Sequence, residues 1–202
     1  MSVGNLKLKN GQDFEIKIDP GDYVIDCGAN IGKVTSFFHS LGAYVLAFEP
    51  NSHAYEILQE KFKNSNRVKC IPKGVSGKES SGIRKMFLHE HAKKDQVLYS
   101  SGSSIIEDKK NVDNDNFVEV EMINLCDFLK AFKKKIKVLK VDIEGAEVEL
   151  LNDLIDDGLT RDISYIFVET HEKKTPSLRE STAALQKRIK DEKHSNINLN
   201  WI

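Results

Sequence analysis

Four ionisable residues close two apolar stretches of this chain: Asp142 and Glu144 in VDIEG, and Glu169 and His171 in VETHE. Alternate residues of a strand share a face, so each pair can project into one crevice if the two strand ends lie side by side. Carboxylates beside an imidazole can take the proton from a weak nucleophile such as a hydroxyl during its attack. They can also offer oxygen and nitrogen ligands to a divalent cation. The spacing fixes no coordination geometry, so the proton-accepting reading is preferred and no metal ligand is assigned. His171 is the favoured acceptor, because an imidazole titrates near pH 6.5 while a carboxylate must be strongly desolvated to serve. Asp142 or Glu169 would orient the ring. The bland alternatives are Glu144 as a helix cap and Glu169 as the partner of a lysine.

A second constellation, Asp26-Cys27-Gly28-Ala29-Asn30-Ile31-Gly32, leaves an apolar run and enters a helical one. Gly28 permits a sharp turn and close approach of a ligand, and Gly32 permits a helix to pack near a strand. Asn30 stands where a dinucleotide fingerprint has the glycine that admits a pyrophosphate, which argues against NAD. A carboxylate at Asp26 would suit a ligand carrying an ammonium and a sulfonium. Glu49, followed by Pro50 in AFEPN, ends the next apolar run, where a carboxylate can accept from both hydroxyls of a ribose.

The elements that must hold these residues follow from periodicity. LKLKNGQDFEIKI alternates about Asn10-Gly11 and predicts a hairpin. YVIDCG, YVLAFEP and Arg67 to Ile71 predict three strands, separated by a helix from Gly32 to Leu41 and a second one capped by Ser52. Lys73 to Asn116 breaks the rhythm, with one strand at Ile83 to His89 and the serine-rich SSGSS at 100 to 104. Phe117 to Asn124 predicts a strand and Cys126 to Phe132 a short helix, whose end at Lys133, Lys134 and Lys135 is a solvated terminus. IKVLKVDIEG, a helix with Val148, Leu151, Leu154 and Ile155 on one face, ISYIFVETH, a helix from Pro176 to Asp191 and a last strand in NINLNWI complete the chain. Strands alternating with helices predict an α/β fold, its mostly parallel sheet covered on both faces.

The chain has 202 residues, and 30 Lys and Arg against 31 Asp and Glu leave a net charge of −1, so no field draws nucleic acid or an anionic membrane. No apolar run reaches about 20 residues and no apolar leader opens the chain, which predicts a cytoplasmic protein. Cys27, Cys70 and Cys126 are widely spaced and read as free thiols.

In order and spacing, PGDYVIDCGANIGKVT, AFEPN, LKVDIEGAEVELL and VETHE resemble the FkbM family of S-adenosylmethionine-dependent methyltransferases, from about Pro20 to Glu172, with NLCDFL matching a weaker segment. The resemblance implies a Rossmann-like class I methyltransferase sandwich of three layers. Residues 1–202 would then form one domain, with an N-terminal hairpin at 1–19 and an inserted strand and loop region at 73–124. It also implies S-adenosylmethionine as donor, S-adenosylhomocysteine as product, and a hydroxyl of a sugar or small metabolite as acceptor. Asp26, Gly28, Asn30 and Gly32 would line the methionine and sulfonium side, Glu49 and Pro50 the ribose, and Gly74 to Ser76 the adenine. DIEG replaces the Asn or Asp, two prolines and aromatic of methyltransferases that act on amino groups of bases, a further argument against a nucleic-acid substrate. One departure concerns the sheet, which in this class ends on an antiparallel strand, whereas Trp201-Ile202 follows the sixth. The hairpin or another chain would then cover that edge, or the chain is shortened. A nucleotide-cofactor oxidoreductase and a cofactor-binding module without turnover remain as alternatives. The insertion is expected to set the acceptor and, over Ser100 to Ile105, to act as a flap ordered by ligands.

Overall fold

The computed structural model of the protein describes residues 1–91, 103–106, 109–110 and 112–201. It opens with the expected hairpin, β1 (Ser2–Lys7) antiparallel to β2 (Asp13–Ile18), turned through Gly11 at φ +80°. There follow β3 (Tyr23–Cys27), α1 (Lys33–Ser40), β4 (Tyr44–Phe48), α2 (Ser52–Phe62), β5 (Val68–Ile71), β6 (Gly74–Ser76), β7 (Gly82–His89) and β8 (Val112–Asn124). The remaining elements are α3 (Leu125–Phe132), β9 (Ile136–Val141), α4 (Glu147–Asp156), β10 (Ile163–Val168), α5 (Arg179–Asp191) and β11 (Ile197–Asn198).

Six strands form one sheet in the order β11-β10-β9-β3-β4-β5, and every pairing is parallel. The apolar strands alternate their side chains between two cores. Ile25, Leu46, Phe48, Leu139 and Val168 meet Leu125, Leu150, Leu154 and Leu185 of α3, α4 and α5 on one face. Val24, Val45, Val138 and Phe167 meet Phe38, Leu58 and Phe62 of α1 and α2 on the other. This is a three-layer α/β sandwich, as its periodicity demanded. Strand order reverses between β3 and β9, and a crevice opens beyond their carboxyl ends.

The hairpin stands in for a helix on the second face. Leu6, Leu8, Ile16 and Ile18 are buried there beside Trp201, and Phe14 lies edge-on to Tyr165 and Phe167 at 5.6 and 5.2 Å. Leu8 bridges antiparallel to Trp201 and Lys9 N donates to Asn200 O at 2.7 Å, so the hairpin is tied to the segment that follows β11.

Several boundaries differ from expectation. Asn51, not Ser52, caps α2: its side chain accepts from His53 N and Ala54 N at 3.1 and 3.2 Å. The residue after Pro50 is still extended, at φ −73° and ψ 118°, as a cap requires. Pro176 opens a 3-10 turn before α5, and NINLNWI contributes only Ile197–Asn198 to the sheet. The insertion forms its own sheet, β6-β8-β7, in which the three-residue β6 was too short to show a period. Of the expected flap, Ser100 to Gly102 lie outside the described residues, while Ser104 exchanges two backbone hydrogen bonds with Phe87 at 2.8 and 2.9 Å. No helix among the described residues is long and apolar enough to cross a membrane.

Candidate active site

Beyond β3 the chain turns so tightly that a Cβ on Gly28, at φ +77°, would lie 1.8 Å from the carbonyl oxygen of Asp142. Only glycine permits two strand ends to cross at that range. Gly28 N and Ala29 N both donate to Phe48 O at 3.0 and 2.9 Å, tying the turn to β4. Asn30, at φ +48°, donates its N–H to Glu49 Oε2 at 2.7 Å, and Asn51 N donates to Oε1 at 2.8 Å. Each carboxylate oxygen keeps a lone pair for a ligand. Burial pushes Glu49 up to about 7 even though these N–H groups, and more weakly Lys140, favour its charged form. Gly32, at φ +78°, lies where a Cβ would meet Leu58 at 2.6 Å, so its service is to the packing of α2.

Asp26 lies beneath this turn. It is wholly buried, accepts from Thr35 Oγ1 at 2.7 Å, and has Lys140 Nζ 3.2 Å from its other oxygen. Lys140 neighbours it directly in the β3–β9 register and also donates to Gly28 O at 2.7 Å and Cys27 O at 3.2 Å, with Asp142 Oδ2 at 3.4 Å. Burial opposes the ammonium, but Asp26 and then Asp142 outweigh it and hold the lysine above its ordinary range. Sequence reasoning missed Lys140; the signal available was a lysine in an otherwise apolar run, two residues before Asp142.

The chemical end is organised around His171, which is 4% exposed. Its Nδ1 lies 2.9 Å from Glu147 Oε1 and its Nε2 3.0 Å from Glu144 Oε2, with Asp142 at 3.7 Å and Glu169 at 4.0 Å from Nε2. Glu147, buried in the first turn of α4, also accepts from Ile143 N at 3.1 Å and from Gly145 N at 3.0 Å, so one side chain fixes both the turn after β9 and the ring. Glu144, at φ +57°, is further paired with Lys109 of the insertion, and Glu169 faces Lys9 of the hairpin at 3.9 Å. Burial would lower His171, yet the hydrogen bonds of Glu144 and Glu147 push it up to about 10. Burial would raise Glu144, but His171 and then Lys109 bring it down to about 2. Burial raises Asp142, against the pull of Lys140. Asp142, Glu144 and His171 each offer one ligand atom within 4.8 Å of the others and are the residues that could hold a cation. Glu147, Lys109 and Lys9 were not read from the sequence.

Between the two ends lies a cleft whose empty space, open solvent included, is about 620 Å³. Gly28, Asn30, Glu49, Pro50, Gly74, Asp142 and Glu144 line it; Asp26, Gly32, Ser76, Glu169 and His171 do not. Ser76 turns inward and donates to Gly77 O at 3.1 Å. A segment of the insertion straps the opening: Ser104 Oγ donates to Glu144 O, and Ile106 sits 2.7 Å from where a Cβ of Gly145 would be. Among the described residues the lining holds three carboxylates and no lysine or arginine. Such a wall favours a cation and repels a pyrophosphate.

Residues 26–193 match the family model of the methyltransferase FkbM domain. The chain is 27% identical over 161 residues to Methyltransferase 1 of Beauveria bassiana (strain ARSEF 2860), covering 71% of this chain and 63% of that protein. It is 26% identical over 175 residues to Methyltransferase sdnD of Sordaria araneosa, covering 74% of this chain and 66% of that one. The chain thus spans just under two thirds of the length of these curated relatives. Among solved structures, the N-terminal domain of human METTL16 in complex with SAH aligns with a TM-score of 0.41 and 13% identity, over 85% of this chain and 52% of that one.

Proposed function

The chain belongs to the methyltransferase FkbM domain family, and from that premise we propose that it transfers a methyl group from S-adenosylmethionine to a hydroxyl oxygen of a sugar or small metabolite. The observation that carries the reading is the cleft at the strand-order reversal, walled by Glu49, Asp142 and Glu144 and, among the described residues, by no basic side chain. The residues present fit the donor. Glu49 keeps lone pairs for ribose hydroxyls, acidic walls suit a sulfonium and an ammonium, and Pro50, Val75 and Met122 give an apolar wall for a purine. Asn30 takes the place of the second glycine, and the described lining has none of the cations a pyrophosphate would need, which disfavours a nicotinamide cofactor.

When bound, S-adenosylmethionine supplies a methyl group activated by its sulfonium. The chain has to align a hydroxyl with that methyl, exclude water and receive the proton. Asp142 faces the cleft with its basicity raised by burial, and it is the proton acceptor of this reading. His171 sits behind the acids, with a carboxylate on each ring nitrogen and its pKa pushed up to about 10. It is therefore already protonated at neutral pH, and its part is to hold Glu144 and Asp142 in place. In this reading the base is Asp142 and not the imidazole that intrinsic pKa favours.

Calorimetry with S-adenosylhomocysteine and NAD, joined to a mass-spectrometric screen of hydroxylated metabolites and glycans for gain of one methyl, tests the proposal. Tight binding of S-adenosylhomocysteine and methyl gain on a hydroxyl support it. NAD binding of equal strength overturns the donor, and cofactor binding with no methyl transfer to any acceptor favours a module without turnover.

A further inference from the structure

The cleft wall contributed by the insertion carries a hydroxyl with nothing to bond. Ser103 is 6% exposed, lines the cleft, and its Oγ has no hydrogen-bond partner among the described residues. A hydroxyl left unpaired in a protein interior is costly, and in a binding cleft it marks where a ligand's polar atom belongs. The cleft's other side-chain oxygens are engaged. Glu49 takes the Asn30 and Asn51 N–H groups, Ser104 joins Glu144 O to Ile106 N, Glu144 faces His171 and Lys109, and Asp142 faces Lys140.

Its position says which part of a ligand it meets. Ser104 is in an extended bridge with Phe87 and sends its hydroxyl to Glu144, so Ser103 and Ile105 share the opposite face. Ile105 packs against Met86 and Met122. The sulfur of Met122 lies 2.1 Å from where a Cβ of Gly74 would be, and Pro50 is 3.5 Å from the same point. Through Ile105, Ser103 adjoins the half of the cleft lined by two thioethers and Pro50. β6 offers that half no polar side chain, because Gly74 has none, Val75 is apolar and Ser76 is turned to Gly77 O.

We propose that the insertion builds the nucleobase subsite, with Met86, Met122 and Pro50 as its apolar walls and Ser103 Oγ as the hydrogen-bonding partner of the adenine edge. This deepens the methyltransferase reading and rests on S-adenosylmethionine being the donor. A hydroxyl suits a purine because it both donates and accepts, meeting ring nitrogens or the exocyclic amine. Thioethers are polarizable and pack well on aromatic faces. The insertion would then serve donor binding as well as acceptor choice.

The test is calorimetry of the full chain with S-adenosylhomocysteine and, separately, adenosine, on wild type, Ser103→Ala and Ser103→Cys. Ser103→Ala should weaken both ligands about five- to tenfold, with Ser103→Cys intermediate. The thermal midpoint of ligand-free Ser103→Ala should stay level or rise, since an unpaired buried hydroxyl has been removed; a merely structural serine would lower it. Affinity for S-adenosylhomocysteine within twofold of wild type overturns the proposal, as does a loss that adenosine does not share. Wild-type protein that binds neither ligand overturns the donor reading itself, and this inference with it.

Discussion

Both ends of the cleft set carboxylates at the tips of neighbouring parallel strands, and they hold them by different means. At β3 and β4, Glu49 is gripped by two backbone N–H groups, and Asp26 is neutralised by Lys140 below the cleft floor. Beyond β9, Glu144 is held by side chains, His171 and Lys109 of the insertion, while Glu147 at the start of α4 shares its oxygens between His171 and the Ile143 and Gly145 N–H groups. Backbone donors come with the fold and do not titrate. Side-chain counter-charges can be lost to one substitution or to a change of pH. The donor end should therefore behave as scaffold, and the chemical end as a network that pH can loosen.

The largest expected effect tests the exception at the donor end, the ion pair of Asp26 with Lys140. Lys140→Met leaves Asp26 charged and wholly buried, and breaking a buried pair costs about 3–5 kcal/mol. Urea denaturation should show that loss, and adding Asp26→Asn should restore part of it. A single mutant as stable as wild type would mean that Asp26 is not held by charge. It also follows that Asp26 substitutions read out first in stability, whereas the sequence pointed to cofactor affinity.

The next effect separates base from support at the chemical end. Asp142→Asn should lower turnover about a hundredfold and leave S-adenosylhomocysteine affinity within twofold. His171→Gln should cost turnover too, but turnover should still rise with pH through one ionisation, because that ionisation belongs to Asp142. Loss of the pH dependence in His171→Gln would return the base to the imidazole. Activity should survive EDTA; abolition by EDTA and rescue by a divalent ion would make Asp142, Glu144 and His171 metal ligands instead.

What was legible in the sequence follows the same division. The strands of the main sheet, the hairpin at Asn10-Gly11, the glycine turn and Glu49 were readable because period and turn chemistry are local properties. The role of Asp26 was not, because it depends on the β3–β9 register that sets Lys140 beside it. Glu147 reads as one more acid in a helical first turn until β10 delivers His171 to it, and Lys109 lies in a stretch with no period at all. Net electrostatics depend on which distant segments meet, so the type of chemistry could be read and the protonation state could not.

A smaller effect appears in stability against pH. His171 is raised from 6.5 to about 10, so the charged ring is favoured by folding; its contribution is complete below 6.5 and is lost as pH rises through about 10. Glu144 is lowered from 4.5 to about 2, so its contribution is present above 4.5 and is lost as pH falls through about 2. Urea midpoints should fall as pH rises above 6.5, and His171→Gln should flatten that decline. An unchanged slope in the mutant would mean that the ring is not held as an imidazolium.

The smallest effect belongs to the donor end and asks whether Glu49 touches the ligand. Glu49 is raised from 4.5 to about 7, so without ligand it retains much of its proton near pH 6. Burial sets that value against the pull of the Asn30 and Asn51 N–H groups. Two further donors from ribose hydroxyls would favour the carboxylate and lower its pKa, so binding should expel part of a proton. Calorimetry of S-adenosylhomocysteine at pH 6, in buffers of different ionisation enthalpy, should therefore show net proton release. The release should vanish at pH 9, where Glu49 is already charged, and be absent at pH 6 in Glu49→Gln. Proton uptake, or release that persists in the mutant, would place the ribose elsewhere and leave Glu49 as a brace between the glycine turn and α2.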